Sequence, residues 1–169
     1  VSATPLVVVA ADANLLINLI HTGRLGLLGV LPGHRFVVPD AVVAEIKSDD
    51  QPVHLSNAIS NGTVSVAILT DPIGLTLFGQ LRVSMGLGES ACLALAVLNS
   101  WSVASDERRA FRRAVLDRLG PSRLLTTPDI YVLAIKSGAI SVADADSDMA
   151  VLASHRFVIK GFTSYDRLI

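Results

Sequence analysis

Leu6-Val7-Val8-Val9-Ala10-Ala11 runs without a polar residue and stops at Asp12. A strand with one wet face alternates apolar and polar positions, whereas a strand covered by helices on both faces reads as one aliphatic run. The run predicts a first strand buried inside a parallel sheet, and a parallel sheet obliges the chain to alternate strands with crossover helices. Residues 14–28 carry Leu15, Leu16, Leu19, Ile20 and Leu27 with an interruption at Gly23, so at least one short helix is expected there. Arg35-Phe36-Val37-Val38 reads as a strand. Pro39-Asp40 then opens a helix that Asp40 would cap, with Val42, Val43 and Ile46 on one side.

The alternation continues with a helix over 53–59, a strand over 63–69 and a helix over 75–83. After a break at Gly86-Leu87-Gly88 comes an Ala/Leu-rich helix over 89–98. A strand over 101–105, an arginine-studded helix over 107–119, a strand over 123–126 and a helix starting at Pro128 follow, with a last helix near 143–153. The tail through Phe157-Val158-Ile159 has no clear pattern. With 169 residues and no internal repeat, the expectation is one domain over residues 1–169. Its fold class is α/β, a three-layer α/β/α sandwich around a mostly parallel central sheet.

Composition narrows the function. Apolar residues make up 51% and charged residues 17%, which excludes intrinsic disorder. The net charge is −1, so a polyanion partner would have to be held by a local basic patch. The single cysteine, Cys92, excludes an intrachain disulfide, and a reducing cytoplasmic setting is the expectation. Arg24, Pro32, Arg82 and Glu89 break every apolar stretch before it reaches membrane-spanning length, and the opening residues lack the basic flank of a secretion signal.

In open parallel sheets, ligands lie beyond the carboxyl ends of the strands. Asp12 and Asp106 both follow strands directly, where each is either a helix N-cap or a site residue. Only three glutamates occur, and two of them, Glu45 and Glu89, stand inside strongly apolar helices. An unpaired buried carboxylate costs several kcal/mol, so each must meet a cation or open onto a cleft. For Glu89 the dipole of its own helix offers an alternative; for Glu45, in a second turn, it does not.

The blocks Asp12-Ala13-Asn14-Leu15-Leu16-Ile17, Val38-Pro39-Asp40-Ala41-Val42-Val43-Ala44-Glu45-Ile46, Gly88-Glu89-Ser90-Ala91-Cys92-Leu93 and Ser105-Asp106-Glu107-Arg108-Arg109-Ala110 occur in that order. In this the chain resembles the PIN-domain nucleases, and among them the VapC-like ribonuclease toxins, over roughly residues 6 to 140. The resemblance implies that Asp12, Glu45, Glu89 and Asp106 are the catalytic, metal-binding acids. Asn14, Ser105 and Glu107 are the auxiliary candidates beside them, with Glu107 alternatively a first-turn acid of the helix that follows. Glu89 stands where aspartate is frequent, and no Thr or Ser precedes Asp106 by two residues, leaving Ser105 as the nearest hydroxyl. Carboxylates without histidine suit Mg²⁺ or Mn²⁺, and the implied reaction is hydrolysis of RNA phosphodiesters. A cognate antitoxin protein and a homodimer are the further partners the resemblance implies.

Four carboxylates repel a polyanion, so cations must hold it nearby. Arg108, Arg112, Arg109 and Arg113 would form one broad face of the helix over 107–119 and contact RNA; a solvated helix face is the plain alternative. No aromatic residue is interleaved with them, so base stacking is not expected. Two other functions compete. One is a PIN-like module that binds RNA or a partner without cutting. The other is an aspartyl phosphotransferase using Asp12, which needs a lysine from a chain holding only Lys47, Lys136 and Lys160.

Overall fold

A computed structural model describes residues 4–169. Five strands, β1 (Val7–Ala11), β2 (His34–Pro39), β3 (Ser65–Ala67), β4 (Ser102–Ala104) and β5 (Leu124–Leu125), form one sheet in the order β3-β2-β1-β4-β5, every pair parallel. The aliphatic run is the central strand: Val9, Ala10 and Ala11 are fully buried between both helical layers. Burial on two faces is what the missing alternation encoded.

Among the described residues, eight helices connect and cover the strands: α1 (Ala13–His21), α2 (Asp40–Glu45), α3 (Gln51–Ser60), α4 (Pro72–Leu81), α5 (Leu87–Asn99), α6 (Ala110–Arg118), α7 (Thr127–Lys136) and α8 (Val142–Ser154). Helix α5 lies against β1, β2 and β4, with α2, α4 and α6 packed on it, while α1, α3, α7 and α8 associate in the other layer. Seven consecutive residues of α5, from Ser90 to Ala96, are buried. A helix apolar all round must be enclosed, and the small Ser90, Ala91, Ala94 and Ala96 let neighbours approach on every side.

Several boundaries differ from the sequence expectation. The strand expected over 63–69 contracts to Ser65–Ala67 because it is an edge pairing only with β2, and short edges are how open sheets avoid further pairing. Asp40 does not cap α2: Pro39 takes the cap position and Asp40 is the first helical residue, its carboxylate accepting from the Ala41 amide at 2.9 Å. The helix expected from Glu107 begins only at Ala110.

The acid-rich run Asp144-Ala145-Asp146-Ser147-Asp148 tethers the end of the chain. Asp146 accepts from Ser164 Oγ at 2.7 Å and from the Tyr165 amide at 2.8 Å. Asp148 accepts from Arg24 Nε at 2.7 Å and Tyr131 OH at 3.0 Å. Tyr165 stacks on Tyr131 with ring centroids 5.5 Å apart, and Phe162 meets Tyr165 edge-on at 5.0 Å. The patternless tail is thereby fixed alongside α7 and α8. Among the described residues no helix is long and apolar enough to cross a membrane.

Candidate active site

At the carboxyl edge of the sheet, β1 and β4 are neighbours, with Ala11 opposite Ala104. The ladder runs one bond further, Asp12 N–H to the Ala104 carbonyl at 2.9 Å, which sets Asp12 beside Ser105. Asp12 is only 3% exposed. Its Oδ1 accepts from the Ala13 amide at 2.8 Å and its Oδ2 from Ser105 Oγ at 3.0 Å. Asn14 Oδ1 accepts from the Asp106 amide at 3.2 Å, and Ser105 Oγ accepts from the Glu107 amide at 3.2 Å. The three auxiliary residues expected from sequence therefore fall in one network. Asn14 and Ser105 hold the segment after β4 in place, and Glu107 is carried on it.

Glu45, the last residue of α2, reaches the first turn of α5, where its Oε1 accepts from the Gly88 amide at 2.8 Å. First-turn amides have no partner within their own helix, so a carboxylate from a neighbouring helix satisfies one and meets the positive end of the dipole. The dipole that explains Glu45 belongs to another helix. Glu89, three residues past the Gly86 cap, stands in the first turn of α5, where its charge meets the positive end of its own helix.

Gly88 is what allows this approach. A Cβ there would lie 2.5 Å from Glu45 Oε2 and 3.0 Å from Val42 Cγ2. Gly88→Ala is expected to expel the Glu45 carboxylate and cost about 1–2 kcal/mol in a urea melt, the overpacking outweighing the helix-propensity gain. A variant more stable than the parent would contradict the close packing of α2 on α5.

Burial pushes the Asp12 carboxyl up to about 6, and the negative charges of Glu89 and Glu45 add to the shift against the bonds from Ala13 and Ser105. Glu89 is also raised, by burial first and then by Glu107 and Glu45. Asp12 and Glu89 thus both feel Glu45, while Asp12 also feels the charge of Glu89 and Glu89 that of Glu107. Among the described residues no Lys, Arg or His forms an ion pair with any of them, the pairs present being Arg24 with Asp144 and Asp148 and His54 with Asp50.

Asp106 is placed differently. Its Oδ1 accepts from the Thr127 amide at 2.8 Å, and its Oδ2 accepts from Thr127 Oγ1 at 2.6 Å and Asn18 Nδ2 at 3.0 Å. It caps no part of α6 and instead binds the first residue of α7. Burial raises its carboxyl despite these bonds. Sequence reasoning missed Asn18 and Thr127. Asn18 carried a signal, an amide four residues after Asn14 on the same face of an apolar helix; Thr127, separated from Asp106 by a strand, carried none. Among the described residues no three carboxylate, imidazole or thiol groups converge into a metal-chelating cluster.

The arginines do not share one helix face. The segment from Asp106 to Arg109 is held out of the helix by its bonds to Asn14, Ser105 and Thr127, so Arg108 and Arg109 precede α6. Arg112 and Arg113, about 100° apart on the helix, then diverge. Arg108 and Arg112 line a cleft together with Asp106 and Glu107, and Arg109 lines the adjoining hollow. Arg113 faces Gln80 and Ser84 at the end of α4.

An all-parallel α/β/α sandwich with acids gathered past the carboxyl ends of its central strands defines a class of domain that handles polar ligands at that edge. A family model described as DUF3368, PIN domain, matches residues 8–159, and the chain belongs to that family of PIN domains, a nuclease-type module. Comparison with curated proteins gave no match, and neither did comparison with solved structures.

Proposed function

We propose that this PIN domain is a divalent-metal-dependent endoribonuclease that hydrolyses RNA phosphodiesters at the edge formed by Asp12, Glu45, Glu89 and the Asp106-Glu107 pair. The observation that carries this is the uncompensated negative charge: Asp12 is raised by the charges of Glu89 and Glu45 and Glu89 by those of Glu107 and Glu45, and among the described residues no basic side chain is paired to any of them. Such an arrangement is stable only if protonated or if a cation joins it. The donors fit Mg²⁺ or Mn²⁺, which take oxygen ligands and commonly use one or two carboxylates plus waters and substrate phosphates in place of a full protein cage. Asp12 with Glu89, and Glu107 beside them, would hold the ion.

When bound, such an ion lowers the pKa of a ligated water and offsets charge on the scissile phosphate. The protein supplies the rest. Asp12 is kept in one orientation by the Ala13 amide and Ser105, so no reorganisation is needed as charge develops. Glu89, half-buried and raised by burial, would be the base that takes the proton of the attacking water. Asn14 and Ser105 fix the distance between the β1 and β4 ends.

The likeness to VapC-type toxins extends the proposal to a cognate antitoxin, a cytoplasmic setting and a homodimer. Ile73 and Val83, 75% and 90% exposed on and just past α4, support the last by offering apolar surface to a second copy. A non-catalytic RNA-binding module is the second reading, favoured by the fully bonded Asp106. Single-stranded RNA incubated with Mn²⁺ separates the two. Cleavage by the parent that falls at least about tenfold in Glu89→Gln supports the enzyme, and equal RNA binding by both proteins without cleavage supports the module.

A further inference from the structure

Between the segment after β4 and the tail lies a cleft of about 590 Å³, and an adjoining hollow of about 530 Å³ shares Asp106, Glu107, Arg108, Phe157 and Lys160 with it. The size suits a nucleotide-scale ligand. Its acids are largely spoken for: Asp106 is bonded by Thr127 and Asn18, and Asp129 accepts from the Thr126 amide and hydroxyl at 2.8 and 2.7 Å. Arg108, Arg112 and Lys160 form no ion pair among the described residues, so the unpartnered charge around the cleft is mainly positive. Phe162 is occupied with Tyr165, whereas Phe157, partly buried against the core, pairs with no other ring among the described residues and borders both hollows. Base stacking, not expected from sequence, becomes available because the fold brings a distant phenylalanine to the arginines.

We propose that Phe157 is a stacking platform for the RNA base next to the phosphate held at the acids, with Arg108 and Lys160 holding the adjoining phosphate. The inference rests on the ribonuclease reading and names a subsite of that site. Continuity supports it: Asp106 and Glu107 belong to the acidic edge and to the cleft alike, so a strand lying across the acids continues into the cleft. Every base has a π-face, so the stacking contact itself is tolerant of base identity.

The test is equilibrium binding, by fluorescence anisotropy in EDTA, of labelled hexamers of uridine, of adenosine and of base-free ribose phosphate. Phe157→Leu, which keeps apolar bulk but no ring, is expected to weaken both base-bearing hexamers at least about fivefold and leave the base-free one unchanged, with Phe157→Trp restoring binding. Lys160→Ala is expected to weaken all three and to lower the salt slope by about one. Thermal melts of each variant confirm folding. Equal binding by parent and Phe157→Leu, or equal losses for base-free and base-bearing hexamers, would overturn the subsite. An acidic peptide bound in a Phe157-dependent way in place of RNA would also overturn it and assign the cleft to a protein partner. Cleavage in Mn²⁺ by a parent whose binding ignores Phe157 rejects the subsite alone. Phe157-dependent binding without cleavage rejects the nuclease alone, and a parent that binds no RNA rejects both.

Discussion

Asp12→Asn is expected to reduce Mn²⁺-dependent RNA cleavage by more than about 100-fold, the loss that even outer partners of a metal ligand can cause, while making the metal-free protein more stable than its parent. The two effects have one origin. Asp12 is buried at 3% exposure beside Glu89 and Glu45, with bonds from the Ala13 amide and Ser105 as its only compensation. An amide keeps the acceptor for the Ala13 bond, can donate to Ser105 Oγ in place of accepting from it, and sheds the charge. The expected gain in EDTA at pH 7.5 is about 1–2 kcal/mol, seen as a rise in Tm of roughly 2–8 °C for a chain of this size. A purely structural cap would behave in the opposite way, since its loss costs about 1 kcal/mol. A variant that melts lower than the parent in EDTA and still cuts RNA would return Asp12 to that role.

The second large effect is on the pH dependence of stability. Asp12 has a folded value of about 6 against a reference of 3.8, so between these values the folded state binds more protons than the unfolded state. Unfolding free energy then rises as pH falls through that window, by an order of magnitude of 3 kcal/mol in full and about 1–2 kcal/mol between pH 7.5 and 5. The raised carboxyls of Glu89 and Asp106 act in the same direction. His21, lowered by burial and by His155 stacked on it at 3.7 Å, acts in the other, because its unfolded form gains the proton first. Urea melts of the parent and Asp12→Asn side by side cancel His21 and the remaining groups. The stability difference favouring the variant at pH 7.5 is expected to shrink toward zero by pH 4, and a constant difference would show that Asp12 is not ionised unfavourably in the native state.

Much of this arrangement was legible in the residues. The aliphatic run ending in Asp12 encoded a central parallel strand with an acid at its carboxyl end, because only burial on two faces removes the alternation. A glutamate in the second turn of an apolar helix marked Glu45 as the partner of something outside its own helix, whereas Glu89 had the dipole of its own helix as an alternative. What could not be read depended on contacts distant in sequence. The helix after β4 starts late because Asn14, Ser105 and Thr127 claim the residues that would have formed its first turn, and that delay splits the arginines between two sides of α6. Phe157 borders the same cleft as Arg108 on a tail whose end is tied to α8 through Asp146, Ser164 and Tyr165. Periodicity within a window of a dozen residues does not report such tethers.

The central claim is that the acidic edge holds a divalent cation. Isothermal titration of Mn²⁺ into the parent, Asp12→Asn and Asp129→Asn at pH 7 tests it most directly. Asp129 is the control because its carboxylate lies in the neighbouring cleft and is committed to Thr126. The account predicts saturable binding by the parent, a loss of affinity of at least about tenfold in Asp12→Asn, and parent-like affinity in Asp129→Asn. Equal Mn²⁺ affinity in parent and Asp12→Asn, or no saturable binding by the parent, would contradict it.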